Sequence, residues 1–116
     1  MAEASAKLRN VWISPRKARL VADLVRGKKV HEARDILAFT VKRSSPLISK
    51  LLESAVANAE HRALESGERI DTEEFVIKHI SVDGGPVFKR FRAAARGRAV
   101  PIRRRTSHIT LVIGDN

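Results

Sequence analysis

A chain of 116 residues is the size of one ordinary domain, so a single modest core is expected. Its 23 Lys and Arg against 13 Asp and Glu give a formal charge of +10, and the absence of Cys excludes disulfides, thiolate zinc sites and Cys nucleophiles while fitting a reducing compartment. No apolar run approaches the roughly 20 residues of a membrane-spanning helix, and the N-terminus lacks the unbroken apolar stretch of a signal peptide, so a soluble cytoplasmic protein is expected.

In chain order, the first expected element is a short strand from Ala6 to Ile13, where Leu8, Val11, Trp12 and Ile13 mix with basic residues. Trp12 reads there as core or strand edge. Ser14 is placed to cap a helix with Pro15 in its first turn, and Ala18, Val21, Leu24 and Val25 recur at helical spacing until Gly27 stops it. After a Lys28-Lys29 turn, the spacing of Val30, Ala33, Ile36, Leu37 and Thr40 predicts a second helix ending near Val41, with Glu32 favourably in its first turn. Ser45 and Pro46 repeat the cap signal and open the longest helix, whose stripe of Ile48, Leu51, Leu52, Ala55, Val56, Ala59 and Ala63 runs to Gly67. Its acids Glu53, Glu60 and Glu65 read as a solvated outer face balanced by Lys50 and Arg62. A polar turn, Glu68 to Glu74, precedes a strand over Phe75 to Asp83 with Val76, Ile80 and Val82 on one face and Lys78 interrupting it. Ser107 to Ile113 is a second strand, with Ile109, Leu111 and Ile113 on its apolar face.

The segment between these strands carries the charge. Pro86 to His108 holds Lys89, Arg90, Arg92, Arg96, Arg98, Arg103, Arg104 and Arg105 and no acid, which leaves fifteen cations against thirteen acids elsewhere. One segment therefore accounts for +8 of the +10, and the rest is balanced like an ordinary solvated surface. The segment reads as a long hairpin: two arms of about 15 residues at ~3.3 Å each reach roughly 50 Å, too far to stay on a small body. Gly84-Gly85-Pro86 and Gly97 match neither the P-loop nor the dinucleotide fingerprint and are read as bends in it. A two-stranded ribbon is marginal in water, and self-repulsion makes this one worse, so a polyanion is expected to supply its support.

Arg103-Arg104-Arg105 is either a solvated charge run or a phosphate grip; alternate strand residues point to opposite faces, so Arg forks there can engage polyanion on both sides. Phe88 and Phe91 among the cations either stack bases or pack locally within the hairpin. His31, His61, His79 and His108 lack metal-ligand spacing; His79 and His108 read as polar strand residues, with His108 still in reach of RNA. No Ser-His-Asp arrangement, paired-carboxylate motif or metal-binding helix can be assembled, so no catalytic residue, metal or cofactor is assigned and no enzyme is expected.

Three stretches carry a resemblance over nearly the whole chain: Ser14-Pro15-Arg16-Lys17-Ala18-Arg19-Leu20-Val21 through Gly27-Lys28, Leu52-Glu53-Ser54-Ala55-Val56-Ala57-Asn58-Ala59-Glu60-His61, and Arg104-Arg105-Thr106-Ser107-His108-Ile109-Thr110. They resemble the bacterial-type large-subunit ribosomal protein twenty-two family, as do Lys89-Arg90 after Gly85-Pro86 and Ala95-Arg96-Gly97-Arg98-Ala99. The resemblance implies an α/β fold of the α+β kind: three helices on a small antiparallel sheet, with one long protruding basic hairpin. The chain is then one domain over 1–116, with a body of about 1–78 and 109–116 and a hairpin of about 79–108. It further implies a structural constituent of the large ribosomal subunit that aids assembly and lines the nascent-chain exit tunnel. Its partners would be large-subunit ribosomal RNA, neighbouring large-subunit proteins and nascent polypeptide, with no membrane and no DNA. The RNA-binding set is Lys7, Arg9, Arg16, Lys17, Arg19, Lys28, Lys29, Lys89, Arg90, Arg92, Arg96, Arg98, Arg103, Arg104, Arg105 and His108. The hairpin tip of Phe88, Lys89, Arg90, Phe91 and Arg92 would lie near the tunnel constriction, where it affects the passage of nascent chain and the setting of macrolide antibiotics.

Three rival readings differ in what they require. A winged-helix DNA regulator needs a basic reading helix, but Val30 to Val41 sets Glu32 and Asp35 against Arg34, and the long helix is acidic. An RNA-modifying enzyme lacks the chemistry, and activity of the purified protein would decide it. Peptide binding alone leaves the charge unexplained.

Overall fold

The computed structural model describes residues 3–93, 97 and 99–115, and of 90–93 and 99–102 the backbone alone. Strand β1 (Glu3–Val11) is followed by helices α1 (Pro15–Val25), α2 (Val30–Phe39) and α3 (Ser45–Ser66), a 3-10 turn (Thr72–Glu74), and strands β2 (Val76–Ala93) and β3 (Ala99–Gly114). The strands form one antiparallel sheet in the order β1-β3-β2. The fold is α+β, as expected, and no helix among the described residues is long and apolar enough to cross a membrane.

The helices sit where their apolar stripes dictate. Ser14 Oγ accepts from the Lys17 N–H at 3.4 Å with Pro15 in the first turn, and α1 buries Ala18, Val21, Ala22 and Val25. Leu24, expected on that face, is half-exposed; the buried stripe takes Ala22 in its place because the small residue lets the helix lie close to β2. In α2, Val30, Ala33 and Leu37 are buried, and the helix stops at Phe39, two residues short of expectation. Thr40 is already extended, and its Oγ1 donates to the Ile36 carbonyl at 2.6 Å. All seven residues of the α3 stripe are buried. Its cap is Ser44 rather than Ser45: a turn closed by the Ser45 N–H on the Lys42 carbonyl starts the helix one residue earlier. Ser45 Oγ is consequently buried without a hydrogen-bond partner among the described residues.

The two remaining sequence expectations fail through pairing that only the tertiary fold supplies. Strand β1 begins at Glu3 instead of Ala6, because Glu3 to Leu8 pair with Gly114 to Ile109. It ends before Ile13 because Asn10 is left-handed, with φ 56°, and the Ile13 N–H turns back onto the Val11 carbonyl. On β2 the buried residue is Ile77 and not Val76, since a register shift between Ile77 and His79 inserts one residue and reverses the alternation. Beyond the shift Ile80 and Val82 face the core, opposite Leu111 and Ile109 of β3. Ile109, Leu111 and Ile113 are fully buried, so the middle strand carries the sheet's apolar face onto α1 and α3.

Helix α1 also protects the free edge of β2. Arg19 Nε donates to the Val82 carbonyl at 3.1 Å and Arg26 Nη2 to the Ile80 carbonyl at 2.8 Å, covering acceptors that an exposed edge would offer to another chain. The following turn is stitched to the strand's start: Gly27 N–H donates to Ile77 O, Ile77 N–H to Lys28 O and Val30 N–H to Phe75 O. Gly27 makes this possible with φ 77°, a conformation costly for other residues. Arg34 pairs with both Glu53 of α3 and Glu73 of the 3-10 turn. Glu53 is therefore a tie between helices rather than only a solvating charge. Arg62, likewise, donates to the Glu3 carbonyl at 3.0 Å.

From Val87↔Arg105 outward to Ala93↔Ala99, β2 and β3 pair with no third strand beside them among the described residues. The radius of gyration is 17.5 Å, against about 13 Å for a compact domain of this length, and the longest extent is 66 Å against 27 and 15 Å. These dimensions are in keeping with the long hairpin. A register shift between Gly84 and Val87 bends the ladder where Gly-Gly-Pro was read as a bend, and Gly97 has φ 72°.

Gly85 is required by close approach. A Cβ on it would lie 2.5 Å from Thr106 Oγ1 and 3.2 Å from His108 Cε1. Thr106 cannot simply swing away, because it is buried and its Oγ1 donates to the Pro86 carbonyl at 2.7 Å. Gly85→Ala is expected to destabilise the protein by about 1–3 kcal/mol through this overlap. A urea midpoint equal to that of the parent would show that the neck of the hairpin yields freely.

Candidate nucleic-acid interface

The sequence-predicted cations take up four settings. Lys7 and Arg9 are exposed on β1, and Arg16, Lys17 and Arg19 on the first turns of α1. Lys28 and Lys29 project from the turn after it. Lys89 on β2 and Arg103, Arg104 and Arg105 on β3 are exposed on the outer ladder. The side chains of Arg90, Phe91 and Arg92, and residues Arg96 and Arg98, lie outside what is described. His108 is half-buried and turned inward: its Nδ1 accepts the Asn10 N–H at 3.1 Å, and its Nε2 lies over Gly85.

Arg19 and Lys29 already have partners in the protein. Arg19 is held by the β2 edge. Lys29 Nζ lies 3.0 Å from Glu74 Oε2, and this hydrogen bond and the charge of the ammonium hold the Glu74 carboxyl below the usual carboxylate range. The same hydrogen bond and the Glu74 charge raise Lys29 above the usual lysine range. Because Glu74 is depressed, the pair's stabilisation is present above the usual carboxylate range and fades as pH falls through the lowered value. Because Lys29 is raised, it is present below the usual lysine range and fades as pH climbs through the raised value. Both groups are exposed, so the contribution is small and salt-sensitive. Glu74→Gln is expected to flatten stability against pH at both ends, and chemical denaturation over a pH series reads it.

Five cations converge. Lys17 of α1, Arg43 of the α2–α3 turn and Arg103, Arg104 and Arg105 of β3 line a concavity of ≈ 310 Å³ together with Trp12, Ile13 and Ser14. On the far side of Trp12 and Arg43 lies a shallower one, lined by Arg9, Asn10, Pro46 and Leu47 among others. Neither lining contains an acid, and none of these six cations has an ion pair among the described residues. Like charges gathered in one groove raise the local potential and attract a polyanion. The α1 N-terminus opens at Ser14 on the same groove, where its dipole favours negative charge.

The chain path explains the convergence. Ser107 Oγ, fully buried, donates to the Ile13 carbonyl at 2.5 Å and fastens β3 to the β1–α1 link, so the arginines just before it face Lys17. Trp12, expected as core or strand edge, is neither; it lies beyond the end of β1, half-exposed, with its ring 5.3 Å from that of Phe88 and inclined by 34°. Phe88 thus packs locally at the neck of the hairpin. Arg43 escaped the sequence reading. Lys42-Arg43 before a helix start is the same signal as Lys28-Lys29, and it was hidden because nothing local ties it to residues sixty positions away.

Comparison with known proteins agrees with this picture. The family described as ribosomal protein L22p/L17e matches residues 6–114. The chain is 54% identical over 113 residues to the large ribosomal subunit protein uL22 of Geobacter sulfurreducens, covering 97% of each chain. It is 51% identical to the protein of the same name from Syntrophotalea carbinolica, covering 97% of this chain and 98% of that one.

Proposed function

Because the chain belongs to the ribosomal protein L22p/L17e family, we propose that it is a structural constituent of the large ribosomal subunit, at work in the cytoplasmic ribosome and not an enzyme. It binds large-subunit ribosomal RNA, contacts neighbouring ribosomal proteins and aids assembly by holding separate RNA segments together. The observation that carries this is the pair of acid-free concavities that meet at Trp12 and Arg43 and are lined by Arg9, Lys17, Arg43 and Arg103 to Arg105, drawn from four elements and continued by the outer ladder.

The chain works as one domain over 1–116, with a body of about 1–78 and 109–116 and a hairpin of about 79–108. Pairing of β1 with β3 from Gly114 to Ser107 supports a body at that end of β3, and the buried Ile80 and Val82 of β2 pack with it. The hairpin lines the exit tunnel and presents Lys89, Arg90, Phe91 and Arg92 to the nascent chain, while Phe88, expected with them, packs on Trp12 at the neck. Lys7, Arg16, Lys28 and Lys29 anchor the body; Arg19 adds to this from the β2 edge, and Lys89, Arg90, Arg92, Arg96, Arg98 and Arg103 to Arg105 neutralise phosphate along the arms. His108 shapes the neck through the hydrogen bond its Nδ1 accepts from the Asn10 N–H, and its part-exposed ring completes the RNA-binding set.

Cosedimentation tests the reading. The protein is expected to stay with large subunits through a high-salt wash; release at modest salt would point to a transient factor held by charge alone.

A further inference from the structure

We propose that the groove around Trp12 is a site for one unpaired nucleotide of RNA, its base stacked on the indole and its phosphates held by Lys17, Arg43 and the β3 arginines. This rests on the RNA-binding reading above and goes further, because it separates readout of a single-stranded residue from contact with a duplex backbone.

Three observations carry it. The indole is 50% exposed although the ring is the largest side chain of the protein, and it lines a concavity. Phe88 holds it from one side at 5.3 Å, which fixes the ring plane before any ligand arrives and lowers the ordering cost of stacking. The cations around it come from separate elements and have no acid among them. A concavity of ≈ 310 Å³ lies at the lower end of the roughly 300–1,000 Å³ usual for small-ligand sites. An aromatic face ringed by cations is the arrangement by which proteins hold splayed-out bases, whereas a duplex keeps its bases stacked on one another and offers only sugar and phosphate. Trp12 has no task in the core that would account for its place: the buried cluster closes over Ile13 and leaves it outside.

The protein contains a single Trp, so its fluorescence reports on this position alone. The full chain is titrated at low salt with a short single-stranded polyadenylate RNA and with an RNA duplex of matched length. The single strand is expected to quench Trp12 emission strongly while the duplex binds with little quenching. Trp12→Ala is expected to weaken single-strand binding, read by anisotropy of a labelled RNA, at least about tenfold. Its duplex affinity should be unchanged, and Trp12→Phe should restore most of the loss. Arg103→Gln with Arg105→Gln should weaken both RNAs alike. Equal quenching by both RNAs, or a Trp12→Ala variant with parental single-strand affinity, would overturn the nucleotide site and leave the RNA-binding reading intact. Binding of neither RNA would overturn both.

Discussion

Replacement of Arg103, Arg104 and Arg105 together by Gln is expected to lower the affinity for large-subunit RNA by roughly two to three orders of magnitude at ~0.1 M salt. Each phosphate contact adds about 0.7–0.9 to the slope of log affinity against log salt, so losing three reduces that slope by about 2–3. If parent and variant converge near ~1 M salt, a decade of dilution separates them by that same exponent. All three side chains are exposed and none is ion-paired among the described residues, so thermal stability should hold or rise slightly as self-repulsion falls. Exchange to Lys at all three positions should keep the salt slope while losing affinity, since the ammonium keeps the charge but not the bidentate fork. A Gln variant whose salt slope matches the parent would show that these arginines do not meet phosphate.

Leu111→Ala should have the largest effect on folding. Leu111 is fully buried on β3, the middle strand, paired in register with Ala6 of β1 on one side and Ile80 of β2 on the other. Truncation there removes apolar contacts and leaves a cavity that three elements together cannot collapse, costing about 2–5 kcal/mol. Against a total stability of about 5–15 kcal/mol for a domain, that is a large share, and it corresponds to a fall in Tm of roughly 10–20 °C. The neighbouring Val112 is only half-buried on the opposite face, and Val112→Ala is expected to cost about 1 kcal/mol or less. Equal effects at the two positions would mean that the alternation of β3 does not separate core from surface.

What the sequence made legible was governed by short-range chemistry. Ser14 with Pro15 starts α1 because a hydroxyl three residues from an N–H needs no distant partner, and the α3 stripe follows from helical period alone. The alternation of Ile109, Leu111 and Ile113 is equally local. The failures of register and reach in the sheet are long-range. Ile77 faces inward because an extra residue at the Ile77/His79 shift is accommodated by β3, which sequence periodicity cannot see. Glu3 to Ser5 enter the sheet because Gly114 to Val112 lie opposite. In the candidate site, the charge of the hairpin was plain from composition, and Lys17, Arg9 and Arg103 to Arg105 were all found. Their meeting around Trp12, with Arg43 completing the ring, depends on the Ser107–Ile13 hydrogen bond across 94 positions. The hold of Arg26 on β2 was missed for the same reason: besides pairing with Asp23 in its own helix turn, it donates to a carbonyl of β2 far away in the chain.

The order β1-β3-β2 puts the element made last between the two made earlier. During synthesis the amino-terminal strand and β2 have no edge to share, and they stay unjoined until residues from Ala99 onward have emerged. Helix formation in the meantime is local and fast, whereas closing β1 onto β3 spans about a whole domain's length of sequence and is slow. A translation product stopped short of that point would display two bare strand edges, making it a ready substrate for chaperones and proteases. The topology therefore delays a closed sheet until β3 has been made.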